Sequence, residues 1–343
     1  MLRPGIPLSP FLVTHTKPYL FYACGNVIFK FSVDVAGSAE FCGKNDTCHS
    51  GTVRSISHSG DELLTCGDDK ILAILDHGLS CLRRRVMGKK LSSAYVVGSH
   101  ILVADRFGDI YRIKSDLSGE AEFFFSHYTT ITASTLMANL SLTGNKDGKI
   151  VVLDAHNPFL VLAICQGHSE FITCLKPYGD DKFISCSADG KLRAWDLDQF
   201  TELQTVDLHE LACDEFGPGM YVPFYILTES GDSFIAVLFA HPSMMMVFDV
   251  WAYKYRWIQL PFEVQSAAKL PNHKISEILE DSDGVDALSG YFFLDMCGDL
   301  WNNVGNAWHK IEVQAGCSGE LVDFWKQNEG LKGGRGEGGA HNC

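Results

Sequence analysis

The sequence lacks long apolar runs and any recognisable loop for a nucleotide-type cofactor. Its apolar stretches, such as residues 234–240, fall far short of the about 20 residues that a membrane-spanning helix needs. Prolines interrupt residues 1–10 where a secretory signal would have a continuous apolar segment, so we expect an intracellular protein. Neither a P-loop nor a GxGxxG motif opening a βαβ unit occurs. We therefore expect no site for ATP, a dinucleotide or S-adenosylmethionine, and no cofactor.

Paired cysteines and positive charge are also scarce. The 12 cysteines are scattered between Cys24 and Cys343, and none forms a CxxC pair or a zinc-ligand cluster. They are expected to be small buried apolar residues in a reducing compartment, and a disulfide framework is the alternative. Twenty-eight Lys and Arg against 42 Asp and Glu give a net charge of −14. This charge argues against a surface that wraps nucleic acid alone and favours a basic partner.

What the sequence does contain is a short motif that recurs along the chain. A turn with Asp, Asn or Gly is followed by a strand of alternating apolar residues that often ends in Asp. The copies span residues 23–34, 66–76, 104–116, 143–154, 185–196, 239–249 and 295–304. Such alternation is the period of a half-buried strand, whereas amphipathic helix patterns are scarce.

The spacing of the repeat predicts the fold. The closing aspartates at positions 34, 76, 116, 154 and 196 lie 42, 40, 38 and 42 residues apart, which matches one four-stranded propeller blade each. The last two intervals are 53 and 55 residues, so we expect longer loops at 211–223 and 270–286. A sandwich or a two-domain barrel would not show this period. We predict an all-β, seven-bladed WD-repeat β-propeller over residues 1–329, followed by a flexible glycine-rich tail over 330–343.

The best copy of the repeat predicts a buried polar network. A histidine enters the first strand, a serine lies on the second, an aspartate lies in the turn and a tryptophan lies on the third. These residues are His168, Ser185, Asp189 and Trp195. We expect them to form a structural hydrogen-bond chain that pins the blade. A catalytic triad is the alternative, but no nucleophile elbow surrounds Ser185.

A basic cluster stands out against the acidic background. It consists of Arg83, Arg84, Arg85, Lys89 and Lys90, followed in the next blade by Arg106. We consider it a candidate contact patch for a partner. A solvated loop without a binding role is the alternative, because charge runs usually face water.

Three stretches resemble one WD-repeat family. ILVADRFGDIY at 101–111 is similar to the VADKxGDVY blade of the WD-repeat subunit of tRNA (guanine-N7)-methyltransferase, and LTGNKDGKIVV follows at 142–152. CQGHSEFITCL at 165–175 is similar to the family's CLGHTEFVS. The order and spacing also match, and the resemblance covers about residues 83–196.

The resemblance implies a role as a partner subunit. It implies a heterodimer with a separate catalytic methyltransferase, which carries S-adenosylmethionine and makes 7-methylguanosine in the tRNA variable loop. This chain would be non-catalytic, would meet tRNA through the complex, and would have neither a small-molecule substrate nor a membrane association. The nucleus is the expected location, with the cytoplasm as the alternative.

The resemblance also suggests an interface. The family's Arg-Asp-Glu-Lys-Ile-Arg turn matches residues 146–151 here, with Lys146 and Lys149 at two of the three basic positions. Gly148 replaces the glutamate and Val151 replaces the second arginine. Lys149 is therefore the first candidate for partner contact.

Two functions of different classes remain after the sequence analysis. The first is the methyltransferase partner subunit, and the second is a generic WD-repeat adaptor in a ubiquitin-ligase or trafficking assembly. An independent propeller hydrolase is a third and weaker alternative. Co-purification with a tRNA methyltransferase discriminates between the first two.

Overall fold

The fold was analysed in a computed structural model, which describes most of the chain between residues 11 and 311. The described residues are 11–13, 19–34, 39–59, 61–228, 234–239, 242–261, 264–269, 275, 291–295, 300–304 and 307–311. The predicted tail at 330–343 lies outside them, as does most of the predicted loop at 270–286.

The described residues form seven four-stranded sheets, numbered here 1 to 7 in chain order. Sheet 1 contains β1 (Phe11–Val13), β2 (Tyr19–Cys24), β3 (Val27–Val33) and β4 (Ala39–Asn45). Sheet 2 contains β5 (Val53–Ser59), β6 (Glu62–Gly67), β7 (Ile71–Leu75) and β8 (Cys81–Val86). Sheet 3 contains β9 (Leu91–Val97), β10 (His100–Asp105), β11 (Asp109–Lys114) and β12 (Glu122–Ser126). Sheet 4 contains β13 (Ile131–Met137), β14 (Leu140–Asn145), β15 (Ile150–Asp154) and β16 (Val161–Cys165).

The remaining sheets follow the same order. Sheet 5 contains β17 (Ile172–Tyr178), β18 (Lys182–Ser187), β19 (Lys191–Asp196) and β20 (Glu202–Asp207). Sheet 6 contains β21 (Pro223–Thr228), β22 (Phe234–Phe239), β23 (Met244–Asp249) and β24 (Lys254–Gln259). Sheet 7 contains β25 (Val264–Lys269), β26 (Tyr291–Asp295), β27 (Leu300–Val304) and β28 (Ala307–Ile311). One helix, α1 (Leu208–Phe216), connects sheets 5 and 6.

The sheets close into a ring, which confirms the predicted seven-bladed propeller. Within each sheet, neighbouring strands are antiparallel and follow chain order. The first strands of adjacent sheets are in contact all round, including β1 with β25 between the first and last sheets. These seven first strands therefore surround the axis, and we call them the inner strands. Each repeat copy of the sequence covers the turn and third strand of one sheet.

The core lies between adjacent sheets, where the alternating apolar residues meet. Leu142 and Val152 of sheet 4 pack with Phe183 and Trp195 of sheet 5, and similar clusters fill the other interfaces. Phe183 and Trp195 stack with their ring centroids 6.0 Å apart. Each sheet thus buries both of its faces against its neighbours, which explains why the third strands β7, β15 and β23 are almost entirely apolar.

Helix α1 corrects the prediction of a plain loop at 211–223. The side chain of Asp207 caps the helix by accepting a hydrogen bond from the Glu210 backbone N–H at 2.9 Å. A capping residue followed three positions later by glutamate is a helix-start signal. Leu208 and Ala212 form the buried face of the helix. This helix is absent from the connections between the other described sheets, and its signal was present in the sequence.

The cysteine prediction is right for most described residues but wrong for two. Cys24, Cys48, Cys66, Cys165, Cys174 and Cys186 are buried free thiols. Cys42 and Cys81 are exposed, and Cys213 is half-buried. The Sγ atoms of Cys48 and Cys81 lie 3.2 Å apart, and burial raises the pKa of Cys48 to about 12. Within the described ranges, no three His, Cys, Asp or Glu side chains are grouped to hold a metal ion, and no helix has the length and hydropathy of a membrane span.

Candidate partner-binding face

One end of the propeller collects two kinds of connecting segment. Because each sheet is an antiparallel meander, the turns between second and third strands lie at the same end as the connections to the next sheet. We call this end the turn face. It includes the turns at 68–70, 106–108, 146–149 and 188–190 and the connections at 46–52, 87–90, 127–130 and 166–171.

The hydrogen-bond chain expected in sheet 5 begins at the turn face. His168 Nδ1 lies 2.8 Å from Asp189 Oδ2, and His168 Nε2 lies 2.8 Å from Ser185 Oγ. Trp195 Nε1 donates to the same Ser185 Oγ at 2.9 Å. With the imidazole proton on Nδ1, the histidine donates to the carboxylate and accepts from the serine hydroxyl. Burial opposes ionisation of Asp189, but the hydrogen bond from His168 lowers its pKa below the usual value.

This arrangement is structural rather than catalytic. The distance from His168 to Ser185 matches that of a serine nucleophile and its base. However, the His168 side chain is 0% exposed, and so is Ser185. The serine oxygen also accepts the Trp195 N–H, so no face of it is open to a substrate. A catalytic serine must reach the reacting carbonyl. The geometry therefore excludes the triad alternative.

Partial copies of the chain occur in other sheets. His49 contacts Asp69 at 3.0 Å and Thr65 at 2.8 Å in sheet 2. His127 contacts Thr143 Oγ1 at 2.7 Å in sheet 4, where burial lowers the pKa of the histidine to about 4. Repetition in separate sheets is expected of a device that orients blades and not of a single active centre.

Sheet 3 departs from this pattern. At the positions equivalent to His168, Ser185 and Asp189 it has the apolar residues Met87, Val103 and Phe107. Met87 and Val103 are buried, whereas Phe107 is 61% exposed on the turn face. The polar chain has been replaced as a unit, and the replacement leaves an exposed aromatic ring beside the candidate basic residues.

The predicted basic residues fall into two groups. Lys89, Lys90, Arg106, Lys146 and Lys149 lie on the turn face of sheets 3 and 4. The Arg106 N–H donates to the Lys90 carbonyl at 2.9 Å, and the Lys146 N–H donates to the Thr130 carbonyl at 3.0 Å, so the segments adjoin. Arg83 and Arg84 lie instead on β8, the outermost strand of sheet 2. The structure therefore does not place the whole cluster in one patch.

Ion pairing separates these residues further. Lys89 binds Asp109 at 2.6 Å, Arg106 lies 3.4 Å from Asp68, and Arg83 binds Glu62 at 2.6 Å. Lys90, Lys146 and Lys149, together with Arg84, are exposed and have no ion pair among the described residues. Lys146 and Lys149 are thus the cations of the matched turn whose charge remains free for a partner.

The structure explains both positions, Val151 and Gly148, at which this chain departs from the family turn. Val151 is 5% exposed in the core between sheets 3 and 4, so in this chain it is not a surface position that has lost an arginine. Gly148 has φ +75°, and a Cβ there would lie 2.6 Å from the His168 carbonyl oxygen. A glutamate could not occupy this position without moving that segment.

Sequence reasoning missed two aromatic residues on the turn face. Phe107 lies under the Lys89 ammonium, 5.7 Å from Nζ to the ring centroid, and Tyr128 is fully exposed in the connection between sheets 3 and 4. Exposed aromatic residues are enriched at protein interfaces. For Phe107, the sequence did offer a signal of exposure, because an aromatic residue stands in a turn.

Alanine at Asp189 should lower stability. Asp189→Ala leaves His168 without its acceptor in a buried network, at a cost of about 1 to 3 kcal/mol in the free energy of unfolding. Chemical denaturation measures this cost, and Asp198→Ala is a control because Asp198 is exposed in the turn at the other end of β19. A variant that unfolded like the parent but no longer bound a partner would show that Asp189 is a contact residue.

Comparison with known proteins agrees with the fold. The WD domain, G-beta repeat model matches residues 41–76 and 159–196. A chain in a crystal structure of the mitotic checkpoint complex superposes with a TM-score of 0.64 at 12% identity, over 88% of this chain and 87% of that one. At this identity the likeness shows the fold alone.

Curated relatives share one description, tRNA (guanine-N(7)-)-methyltransferase non-catalytic subunit. The Dictyostelium discoideum protein is 28% identical over 60% of this chain and 50% of its own length. The Mus musculus protein is 25% identical over 81% of this chain and 69% of its own, and the Saccharomyces cerevisiae protein is 26% identical over 46% and 40%. The chain thus spans about half the length of the Dictyostelium relative. The chain is thus a seven-bladed WD-repeat β-propeller that is similar, over part of its length, to proteins described as non-catalytic subunits of tRNA (guanine-N(7)-)-methyltransferase.

Proposed function

We propose that this chain is the non-catalytic subunit of a heterodimeric tRNA (guanine-N7-)-methyltransferase. In this role it binds and stabilises a separate catalytic subunit that forms 7-methylguanosine in the tRNA variable loop. The observation that carries the proposal is the shared description of relatives from an amoeba, a mammal and a yeast. A nuclear location, with tRNA met through the complex, is part of the same proposal.

The turn face of sheets 3 and 4 supports a partner-binding role. It presents the unpaired cations Lys146 and Lys149 beside the exposed rings of Phe107 and Tyr128. Cations flanking aromatic anchors suit an acidic surface with apolar pockets on the partner. We propose that the catalytic subunit contacts this face, with Lys149 and Lys146 at the contact and Arg106, Lys89 and Lys90 around it.

The buried hydrogen-bond chain supports a non-catalytic role. Ser185 and His168, which most resemble a catalytic pair, are buried in sheet 5. Their hydrogen bonds are made to each other and to Asp189 and Trp195. The sequence has no glycine-rich loop for S-adenosylmethionine. We propose that cofactor binding and catalysis both belong to the partner.

Co-expression tests the proposal. The full chain is produced with and without the tRNA (guanine-N7-) methyltransferase subunit of the same organism. We expect a one-to-one complex by size-exclusion chromatography, guanine methylation by the complex, and neither methylation nor S-adenosylmethionine binding by this chain alone. Micromolar cofactor affinity in the isolated chain, or the absence of a complex together with specific recovery of ubiquitin-ligase or coat proteins, would refute it.

A further inference from the structure

The inner strands differ in charge from the rest of the chain. None of the 42 Asp and Glu residues falls within the seven inner strands. In a chain with a net charge of −14, these strands themselves therefore contribute no carboxylate, and the one inner-strand arginine, Arg54, pairs with Asp68 of the neighbouring turn. Half-buried hydroxyl residues take their place at Ser55, Ser57, Tyr95, Thr135 and Tyr225.

Lys176 places a cation on the inner strands. It lies on β17 of sheet 5, with Nζ 4.9 Å from the centroid of the Tyr225 ring of sheet 6. No carboxylate within the described residues forms an ion pair with it. The neighbouring Tyr225 raises the pKa of Lys176 and burial opposes the rise, so the ammonium stays protonated at neutral pH.

Hydrogen-bond donors remain on Lys176 and Tyr225. An ammonium has three N–H donors, of which the Tyr225 hydroxyl oxygen can accept one. On the other side of sheet 4, Tyr95 donates to the Ser134 carbonyl at 2.6 Å, and Ser134 Oγ donates to Ser93 Oγ at 2.7 Å. The donors of Tyr95 and Ser134 are therefore already used within sheets 3 and 4. Tyr95 is close enough to Lys176 to interact with its charge.

A half-buried ammonium without a counter-ion is electrostatically costly unless an anion or water compensates it. The ammonium of sheet 5 and the tyrosine hydroxyl of sheet 6 lie side by side, and together they can donate to an anion that has more than one acceptor oxygen. We propose that the axis of the propeller binds a small phosphate-bearing anion, with Lys176 and the Tyr225 hydroxyl as its principal donors. This site lies on inner strands, apart from the lysines of the turn face, and does not rest on the proposed function.

Phosphate binding to the full chain tests the site. Thermal unfolding and isothermal titration are carried out with inorganic phosphate at constant ionic strength, with chloride as the reference salt. We expect stabilisation that rises with phosphate concentration, because a ligand that binds only the folded state stabilises it. Lys176→Met keeps the length of the side chain and removes its charge, so affinity should fall at least about tenfold. Tyr225→Phe removes one donor and should weaken binding by less.

Two controls locate the binding. Lys182→Met makes the same change on β18 at a half-buried, ion-paired residue, and Lys146→Met with Lys149→Met makes it on the turn face. Both should bind phosphate as the parent does. Pyrophosphate and adenosine monophosphate then distinguish a free anion from a phosphorylated metabolite. Parent affinity in a folded Lys176→Met variant, or equal stabilisation by chloride, would overturn the proposal.

Discussion

Reversing the charges of Lys146 and Lys149 together should weaken assembly with the methyltransferase by about 2 to 5 kcal/mol, or from about thirty-fold to several-thousand-fold in Kd. Each residue is exposed and has no ion pair in the described part of the chain. Glutamate at these positions removes an attraction to an acidic partner and adds a repulsion. Changes at exposed positions usually alter stability by under about 0.5 kcal/mol, so binding should fall far more than stability.

A matched pair of substitutions isolates the effect of position from that of net charge. Lys114 and Lys182 lie at the opposite end of the propeller, at the end of β11 and the start of β18. The double variant Lys114→Glu and Lys182→Glu makes the same charge change away from the turn face, and it should assemble like the parent. Pull-down and melting curves on the same preparations measure both properties. Unchanged assembly of Lys146→Glu with Lys149→Glu would place the interface elsewhere, with Lys89, Lys90 and Arg106 next and Arg83 and Arg84 after them.

The periodic aspartates explain why the fold could be predicted from the sequence. Four of them, Asp76, Asp116, Asp154 and Asp196, lie at or just after the end of a third strand and accept backbone hydrogen bonds from the following turn. Asp154 Oδ1 accepts from His156 and Asn157 at 2.8 and 3.0 Å, and Asp196 Oδ1 accepts from Asp198 and Gln199 at 2.9 and 2.7 Å. Aspartate is favoured in such turns because its side chain mimics a backbone acceptor. Because this hydrogen bond is local and recurs in successive sheets, it produces aspartates at regular intervals in the sequence.

The site could be predicted only in part, because ion pairing depends on contacts between sheets. Arg106 and Lys149 look alike in the sequence, but Arg106 lies 3.4 Å from Asp68 of the preceding sheet, whereas Lys149 has no ion pair among the described residues. These pairings join residues that are far apart along the chain. The burial of Val151 likewise follows from packing between sheets 3 and 4. Motif matching locates a turn but does not show which of its charges are free.

Alanine at Gly148 should destabilise the propeller by about 2 to 6 kcal/mol. Gly148 adopts φ +75°, and its Cβ would lie 2.6 Å from the His168 carbonyl oxygen and 2.7 Å from that of Glu170. The left-handed conformation costs a non-glycine residue about 1 to 3 kcal/mol, and overpacking against fixed backbone adds about 1 to 3 kcal/mol. The clash falls on the connection that positions His168, so the hydrogen-bond chain of sheet 5 should be disturbed as well.

Gly119 offers a control that separates strain from crowding. It has φ +74°, nearly the same backbone conformation, but nothing lies within 4 Å of the place where its Cβ would be. Gly119→Ala should therefore show the cost of the left-handed conformation alone. The difference between the two variants in the free energy of unfolding, measured in urea, gives the cost of the contact between the turn of sheet 4 and the connection to sheet 5. Equal losses in both variants would mean that residues 168–170 move aside freely, and that the turn carrying Lys146 and Lys149 is not held rigidly for a partner.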